Sequence, residues 1–374
     1  MKIGIDAHAL GTGAGGNETF VHQLLEGLHL ITPESDILAF VHDSVHRRLN
    51  VASGFHTSPL TFSSSWLRVP LELPYRAYRK RLDLLHVQYI APPVSPCPTV
   101  VTVHDIVWTK YPEFLPPLDR LRLQTLVPLT MRRATRIHAV TEAMRKSIAE
   151  TYDVPLEKID LIQTACDPSF HPVKDEEKHA RVRRRYDIDG PFVLYIGALT
   201  PRKNVARLAE GMARLGENGF DHKLVITGKP SWLHKDVTSK LESLTMGDRL
   251  KFTGYVDKED LPTLITAADA FAYVSIYEGY GLPVIEAMAC ATPVLASTDP
   301  AITEVAGGAA LHCDPMSVDA IAHSLERILT DNDLREDLIR RGPERAAAFT
   351  RERMGRAAIE SYSNAVLGID GPRG

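Results

Sequence analysis

The chain has 374 residues, 44% of them apolar and 24% charged, with a formal net charge of −4. That length suits two domains of about 150–200 residues, each able to bury a core without disulfide staples. The charge excludes a globally basic nucleic-acid binder, and no apolar run approaches the roughly 20 residues of a membrane span. Cys97, Cys166, Cys290 and Cys313 lack metal or redox spacing, and Asp6 stands where a signal peptide carries its apolar core. A reduced, cytoplasmic protein is expected. Charge is unevenly spread, however: residues 60–150 carry thirteen Lys/Arg against seven Asp/Glu, although the whole chain is acidic.

In chain order, the first expected strand is Lys2 to Asp6, followed by Gly11-Thr12-Gly13-Ala14-Gly15-Gly16. Asn17 then offers a cap to a helix whose apolar residues Phe20, Val21, Leu24, Leu25 and Leu28 recur at helical spacing. Short runs that are apolar throughout, at Ile37–Val41, Leu84–Val87, Val100–Val103 and Ile137–Val140, read as buried strands of a parallel sheet with helices between them. Pro168 and Pro172 break the pattern, and a charged helix follows over Lys174 to Tyr186. The alternation restarts with strands at Phe192–Ile196, Leu224–Thr227, Ala270–Val274 and Val294–Ala296. Helices are expected over Val205–Leu215 and Leu261–Ala268, with a last one over Arg351 to Val366 before a Gly/Pro tail. The pattern predicts an α/β chain of two doubly wound Rossmann-like domains facing across a cleft, with ligands at the carboxyl ends of the strands. The boundaries fall at 1–172, 173–350 and 351–374, the last a helix and tail packing back toward the N-terminal domain.

Four segments carry chemistry. In Ser275-Ile276-Tyr277-Glu278-Gly279-Tyr280-Gly281-Leu282-Pro283-Val284-Ile285-Glu286, a strand gives way to a glycine turn and a helix with Pro283 at its start. Such a turn and helix dipole favour an anionic oxygen. Glu286, placed in the first helical turn, suits a ribose diol, and Glu278, before the turn, is free to reach a sugar. The structural alternative is a tight turn with an acid that complements a helix N-terminus. Arg202 and Lys203, after the Phe192–Ile196 strand, suit a diphosphate by fork and point charge, and would stabilise it as a leaving group. A solvated pair is the alternative, but cations at a helix start oppose its dipole, so the placement asks for an anion. His104, in Thr102-Val103-His104-Asp105, could bind a sugar hydroxyl, shuttle a proton or be structural. The Gly11–Gly16 loop reads G-x-G-x-x-G, yet lacks the ribose-binding acid at the right distance.

In this order and spacing the segments resemble a retaining glycosyltransferase of family four, with the GT-B fold, over nearly the whole chain. The resemblance rests on Glu278-x7-Glu286, Pro201-Arg202-Lys203-Asn204, Thr102-Val103-His104-Asp105, the first glycine loop and Phe252-Thr253-Gly254-Tyr255-Val256. It implies that Glu286 holds the nucleotide ribose, and that Glu278 serves the donor sugar and reaction centre. Arg202 and Lys203 would hold the diphosphate, and Gly279, Tyr280, Gly281 and Leu282 would form the phosphate and sugar turn. Gly15 and Gly16 would close over the donor phosphate, His104 would face sugar and acceptor, and Gly254, Tyr255 and Val256 would meet the base. Ala291 replaces a common family glycine and Val274 a common proline, both read as packing changes; Ala198 replaces an arginine found in some members.

The style of Gly197-Ala198-Leu199-Thr200-Pro201-Arg202-Lys203-Asn204 looks most like bacterial mannosyltransferases of polysaccharide and O-antigen assembly, which implies GDP-mannose as donor. The implied reaction is front-face displacement with retention, onto a saccharide or lipid-linked saccharide acceptor. No cofactor and no metal are expected: Asp187-Ile188-Asp189 has a metal-motif spacing but precedes a strand. Three alternatives remain. A GT-B-fold nucleotide-sugar epimerase should lack the Glu-x7-Glu turn. A non-catalytic nucleotide-sugar-binding protein should lose the cations or Glu278. A dehydrogenase is suggested by the glycine loop alone. The basic window adds an expected peripheral contact, Arg68 to Arg81 and Arg120 to Arg136 docking on anionic lipid at the inner membrane face.

Overall fold

The computed structural model describes residues 1–13, 15–32, 36–49, 56–228, 234–244 and 246–368. Ala14, part of the loop Ser53–Ser65 and the end of the C-terminal tail lie outside the described residues. The chain forms two compact units, Met1–Ala165 with Phe349–Gly374, and Cys166–Ala348.

The first unit holds a parallel sheet of β1 (Lys2–Asp6), β2 (Asp36–His42), β3 (His56–Leu60), β4 (Leu84–Gln88), β5 (Thr99–Val103), β6 (Arg136–Ala139) and β7 (Ile159–Leu161). Their order is β3-β2-β1-β4-β5-β6-β7, so the winding reverses between β1 and β4. The second unit repeats the plan with β8 (Phe192–Ile196), β9 (Lys223–Thr227), β10 (Leu250–Gly254), β11 (Ala270–Tyr273), β12 (Val294–Ser297) and β13 (Leu311–Cys313), in the order β10-β9-β8-β11-β12-β13. The reversal here lies between β8 and β11. β5 and β11 are buried along their whole length, as strands covered on both faces require. The expected α/β class is observed in both units.

The helix Gly16–Ile31 begins one residue before its expected cap: Gly15, not Asn17, precedes it, at φ 61°, and no side chain caps it. The C-terminal helix Arg351–Leu367 packs against this helix in the first unit. Their backbones come so close at Gly27 and Gly355 that a Cβ on Gly27 would sit 2.4 Å from the Arg351 carbonyl oxygen. The same helix sends Tyr362 and Ser361 under the sheet. There His86 Nδ1 lies 2.7 Å from the Tyr362 hydroxyl, and His138 Nε2 lies 2.8 Å from Ser361 Oγ. Ser361 Oγ donates to Asp160, which also receives Arg136. Among the described residues no helix is long and apolar enough to cross a membrane.

Part of the expected basic surface is interior. Arg68 is 3% exposed and its Nε lies 3.4 Å from Asp6 Oδ2. Arg76 is held by Glu72, Ser58 and Pro59, and Arg136 by Asp160. These three cations face partners that are remote in sequence or folded under them, so they do not reach a lipid surface.

Candidate functional site

At the carboxyl edge of the second sheet, the loops after β8 and β11 are tied together. After β8 the chain makes a 3-10 turn over Pro201–Lys203 and passes through Asn204 in the left-handed region, φ 60°, a conformation asparagine tolerates. The Asn204 side chain is buried and its Nδ2 donates to the carbonyls of Val274 (3.0 Å) and Pro315 (2.6 Å). The Ile276 amide donates to the Arg202 carbonyl at 2.9 Å. This stitching aims Arg202 and Lys203 at the loop that carries Glu278.

The anion the cation pair asks for is Glu278 itself. Arg202 Nη1 donates to Glu278 Oε2 at 2.8 Å and to the Tyr277 carbonyl at 3.0 Å. Lys203 Nζ donates to Glu278 Oε1 at 2.6 Å and lies 4.9 Å from the Tyr273 ring centre, while the Tyr273 hydroxyl donates to the same Oε1 at 3.2 Å. Burial alone would raise the Glu278 pKa, but Arg202 and Lys203 outweigh it and hold the carboxyl at about 2. Glu278 is therefore ionised, buried at 6% exposure and engaged, not free as the spacing alone suggested. A second carboxylate, Asp299, accepts from the Glu278 amide at 3.4 Å, and burial pushes its pKa up to about 6.

Gly279, Tyr280, Gly281 and Leu282 lead from Glu278 into the helix Leu282–Ala289. Gly281 sits at φ 99°, and a Cβ there would lie 2.3 Å from Ile302 Cδ1, so this turn admits no side chain. Pro283 is the second helical residue, which moves Glu286 out of the first turn into the second. Glu286 is half-buried and its carboxylate makes no hydrogen bond among the described residues. Burial first and nearby Asp167 second push its carboxyl up to about 7, against a smaller pull from Lys258. Asp167 is itself held ionised by Lys258, 2.8 Å away. Neither residue is visible as a neighbour from the sequence.

Gly254 ends β10 at φ 71°, and its carbonyl accepts the Gly228 amide at 3.1 Å. Gly197 donates in turn to the Thr227 carbonyl at 2.9 Å, so the loops after β8, β9 and β10 align at one edge. Beside them Tyr255 is 63% exposed, while Val256 is buried.

In the first unit, His104 follows β5 and lies edge-on to Phe20, 4.7 Å between ring centres, which brings it alongside the helix that Gly15 and Gly16 begin. A Cβ on either glycine would meet nothing within 4 Å. His104 Nε2 is 3.0 Å from Gln88 Oε1, and burial pushes its pKa down to about 3. The imidazole is neutral near pH 7 and suited to exchange hydrogen bonds with a hydroxyl rather than carry a charge.

The Asp-x-Asp runs are otherwise engaged. Asp187 pairs with Lys251 and Asp189 with Lys223, and a second such run starts at Asp331, which caps its helix by accepting from the Leu334 amide. Ala291 is not a packing change. It takes φ 57° just past the Leu282–Ala289 helix, where the amides of Ala291 and Thr292 return to the carbonyls of Met288 and Ala287. That is a Schellman closure, which favours glycine at this position.

Residues 14–170 match the model described as Glycosyltransferase Family 4, and residues 177–345 that of Glycosyl transferases group 1. The chain is 33% identical to O-antigen chain mannosyltransferase B of Escherichia coli over 266 residues, 70% of this chain and 69% of that one. It is 28% identical to the O-antigen chain mannosyltransferase RfbU of Salmonella typhimurium, over 58% of this chain and 56% of that one. Its fold matches a solved sucrose-phosphate synthase from Thermosynechococcus elongatus with TM-score 0.77 at 22% identity, covering 98% and 100% of the two chains. Anabaena Alr3699/HepE, solved in complex with UDP and glucose, gives TM-score 0.77 at 18% identity over 97% and 100%. Two doubly wound units of this kind make the GT-B fold of the glycosyltransferases. The chain belongs to the family 4 glycosyltransferases.

Proposed function

We propose that this chain is a retaining mannosyltransferase of polysaccharide assembly, which moves mannose from GDP-mannose to a saccharide or lipid-linked saccharide acceptor. The observation that carries the reading is the Arg202–Lys203–Glu278 cluster, a pair of cations held on a buried carboxylate at the carboxyl edge of the second sheet. The choice of mannose is supported by the names of relatives such as O-antigen chain mannosyltransferase B.

In the proposed reaction the bond between the sugar's C1 and the phosphate oxygen breaks, and its electron pair leaves with the diphosphate. Arg202 and Lys203 receive that charge in place of a metal ion. The acceptor oxygen bonds to C1 on the face the phosphate leaves, so the anomeric configuration is retained. The acceptor's proton passes to the departing phosphate oxygen. Glu278 exchanges its grip on the cations for the donor sugar, and Glu286 accepts from the ribose diol. Gly279, Tyr280, Gly281 and Leu282 approach phosphate and sugar through the backbone, and Gly254, Tyr255 and Val256 meet the base. Gly15, Gly16 and His104 belong to the other unit, and their roles at the donor phosphate and sugar are carried by the family resemblance. We place the activity in the cytoplasm at the inner membrane face, where a lipid-linked acceptor would be met.

A panel of nucleotide sugars tests the reading. GDP-mannose should be consumed faster than its UDP and other GDP counterparts, in the presence of EDTA, with the product anomer matching the donor by NMR. Preference for another donor overturns the mannose assignment, inversion overturns the mechanism, and loss of activity in EDTA overturns metal independence.

A further inference from the structure

The helical run through Ser65–Leu67, Arg68–Glu72 and Leu73–Lys80 is apolar on two faces: Val69, Leu73 and Ala77 turn inward and are buried, yet a second apolar stripe faces outward. A helix at a protein surface normally turns its apolar stripe inward and its charge outward. Arg68 and Glu72 are buried beside the inward stripe, 3% and 5% exposed: Arg68 Nε lies 3.4 Å from Asp6 Oδ2, its Nη1 donates to the Ser63 carbonyl, and Glu72 accepts from the Thr61 and Phe62 amides. The outward stripe is Leu67, Leu71, Tyr75 and Tyr78, at steps of four, four and three residues, and these are 42%, 57%, 63% and 71% exposed. Trp66 beside them is 57% exposed, with the Arg122 guanidinium 5.0 Å from its ring centre. That contact brings the start of the helix Pro117–Arg133 alongside, with Leu118 and Leu121 also exposed. Arg79, Lys80, Arg81 and Arg120 are exposed at the margins and make no ion pair among the described residues.

We propose that this aromatic shelf is the surface on which the protein lies on a bilayer rich in anionic lipid. Trp and Tyr present an apolar body and a polar tip, the chemistry of the headgroup layer, and the marginal cations meet lipid phosphates. The leucines supply apolar area that enters the acyl boundary without a spanning segment. A second copy of the chain would suit the shelf less well, because self-pairing would bring Arg79, Lys80 and Arg81 toward their own counterparts. The inference deepens the membrane-face reading above and rests on it for its purpose. Vesicle binding, however, is measured without turnover, so its failure and that of the transferase reading are distinguishable.

Flotation with vesicles of phosphatidylcholine, with and without phosphatidylglycerol, at low and high salt, tests it. The full chain should float with phosphatidylglycerol vesicles, and Trp66 emission should shift to the blue. The combined variant Trp66→Ser, Tyr75→Ser, Tyr78→Ser should lose roughly tenfold or more in vesicle affinity at either salt. Arg79→Glu with Lys80→Glu should lose binding mainly at low salt, and it carries the test if the aromatic variant does not fold. The proposal is overturned if the wild type stays unbound at low salt, or if the folded aromatic variant floats like the wild type. It is overturned equally if the wild type dimerises through this face without binding vesicles.

Discussion

Glu278 holds Arg202 and Lys203, so in the proposed reaction a diphosphate competes with a built-in carboxylate for the same two cations. Replacing that carboxylate by an amide of the same shape removes the competitor and leaves two half-buried charges short of a partner. Glu278→Gln should therefore lower the Tm of the free protein by several degrees, bind GDP more tightly than the wild type, and show the larger stabilisation by GDP. Transfer should fall at the same time. GDP affinity that drops in a folded Glu278→Gln protein would argue that the carboxylate does not occupy the phosphate's place. Glu286 makes a separate prediction through pH. Its carboxyl, pushed up to about 7 by burial and Asp167, is protonated below neutrality and then can no longer accept with both oxygens from the two hydroxyls of a diol. Donor KM should rise about tenfold from pH 8 to pH 6, as the ionised fraction falls, and Glu286→Gln should show a high KM that does not change with pH. A wild-type KM that is flat over this range would contradict the ribose role.

Residues such as these were legible as types but not as partners. The order and spacing of Glu278, Glu286, Arg202 and Lys203 pointed to the segments after β8 and β11, because each follows a strong apolar strand. The pairing of Glu278 with the cations was not legible, since it spans 75 and 76 residues of sequence and depends on Asn204 tying two loops together. Asp167 and Lys258, which set the charge environment of Glu286, stand 91 residues apart. Likewise, counting cations over residues 60–150 could not reveal that Arg68 faces Asp6 across the core of the first unit.

At the scale of elements, strands with continuous apolar runs were readable and edge strands were not. β3 contains His56, Ser58 and Pro59, and β10 mixes Lys251 and Thr253 with half-exposed neighbours, so neither shows a buried pattern. β7 and β13 have three residues each, too short to stand out. The end of the Leu282–Ala289 helix offers a direct test of backbone strain. Ala291 carries a methyl group in the left-handed region, at a cost of about 1–2 kcal/mol relative to a relaxed conformation. Ala291→Gly should recover roughly 1 kcal/mol, offset in part by glycine's greater freedom in the unfolded chain, and raise Tm by a few degrees in thermal unfolding. An unchanged or lower Tm would show that the surrounding packing, not φ, governs this position.

At the scale of the whole molecule, the first unit is discontinuous in sequence: it is completed by a helix contributed from the far end of the chain. The polar network of that helix, Tyr362 to His86 and Ser361 to His138, is buried under the first sheet. Burial drives His138 down to about 3 and His86 well below its ordinary value, so both are neutral in the folded state. Their folded pKa values lie below the unfolded value, so folding is favoured fully above pH 6.5 and loses this contribution as pH falls through the range between them. Thermal unfolding should therefore show stability declining from pH 6.5 toward pH 4. Tyr362→Phe should cost about 1–3 kcal/mol at neutral pH by leaving His86 Nδ1 without its partner. A Tyr362→Phe protein as stable as the wild type would mean the helix is held by apolar packing alone.

In the proposed reaction Arg202 and Lys203 carry the departing diphosphate of a glycosyl donor. The most direct test of that role is kcat for transfer from saturating GDP-mannose by the wild type, Arg202→Ala and Lys203→Ala, with each variant's fold checked by circular dichroism. Loss of one charge contact made to a leaving group should lower kcat by about 10²-fold or more in each variant. Transfer at the wild-type rate by both folded variants would contradict it.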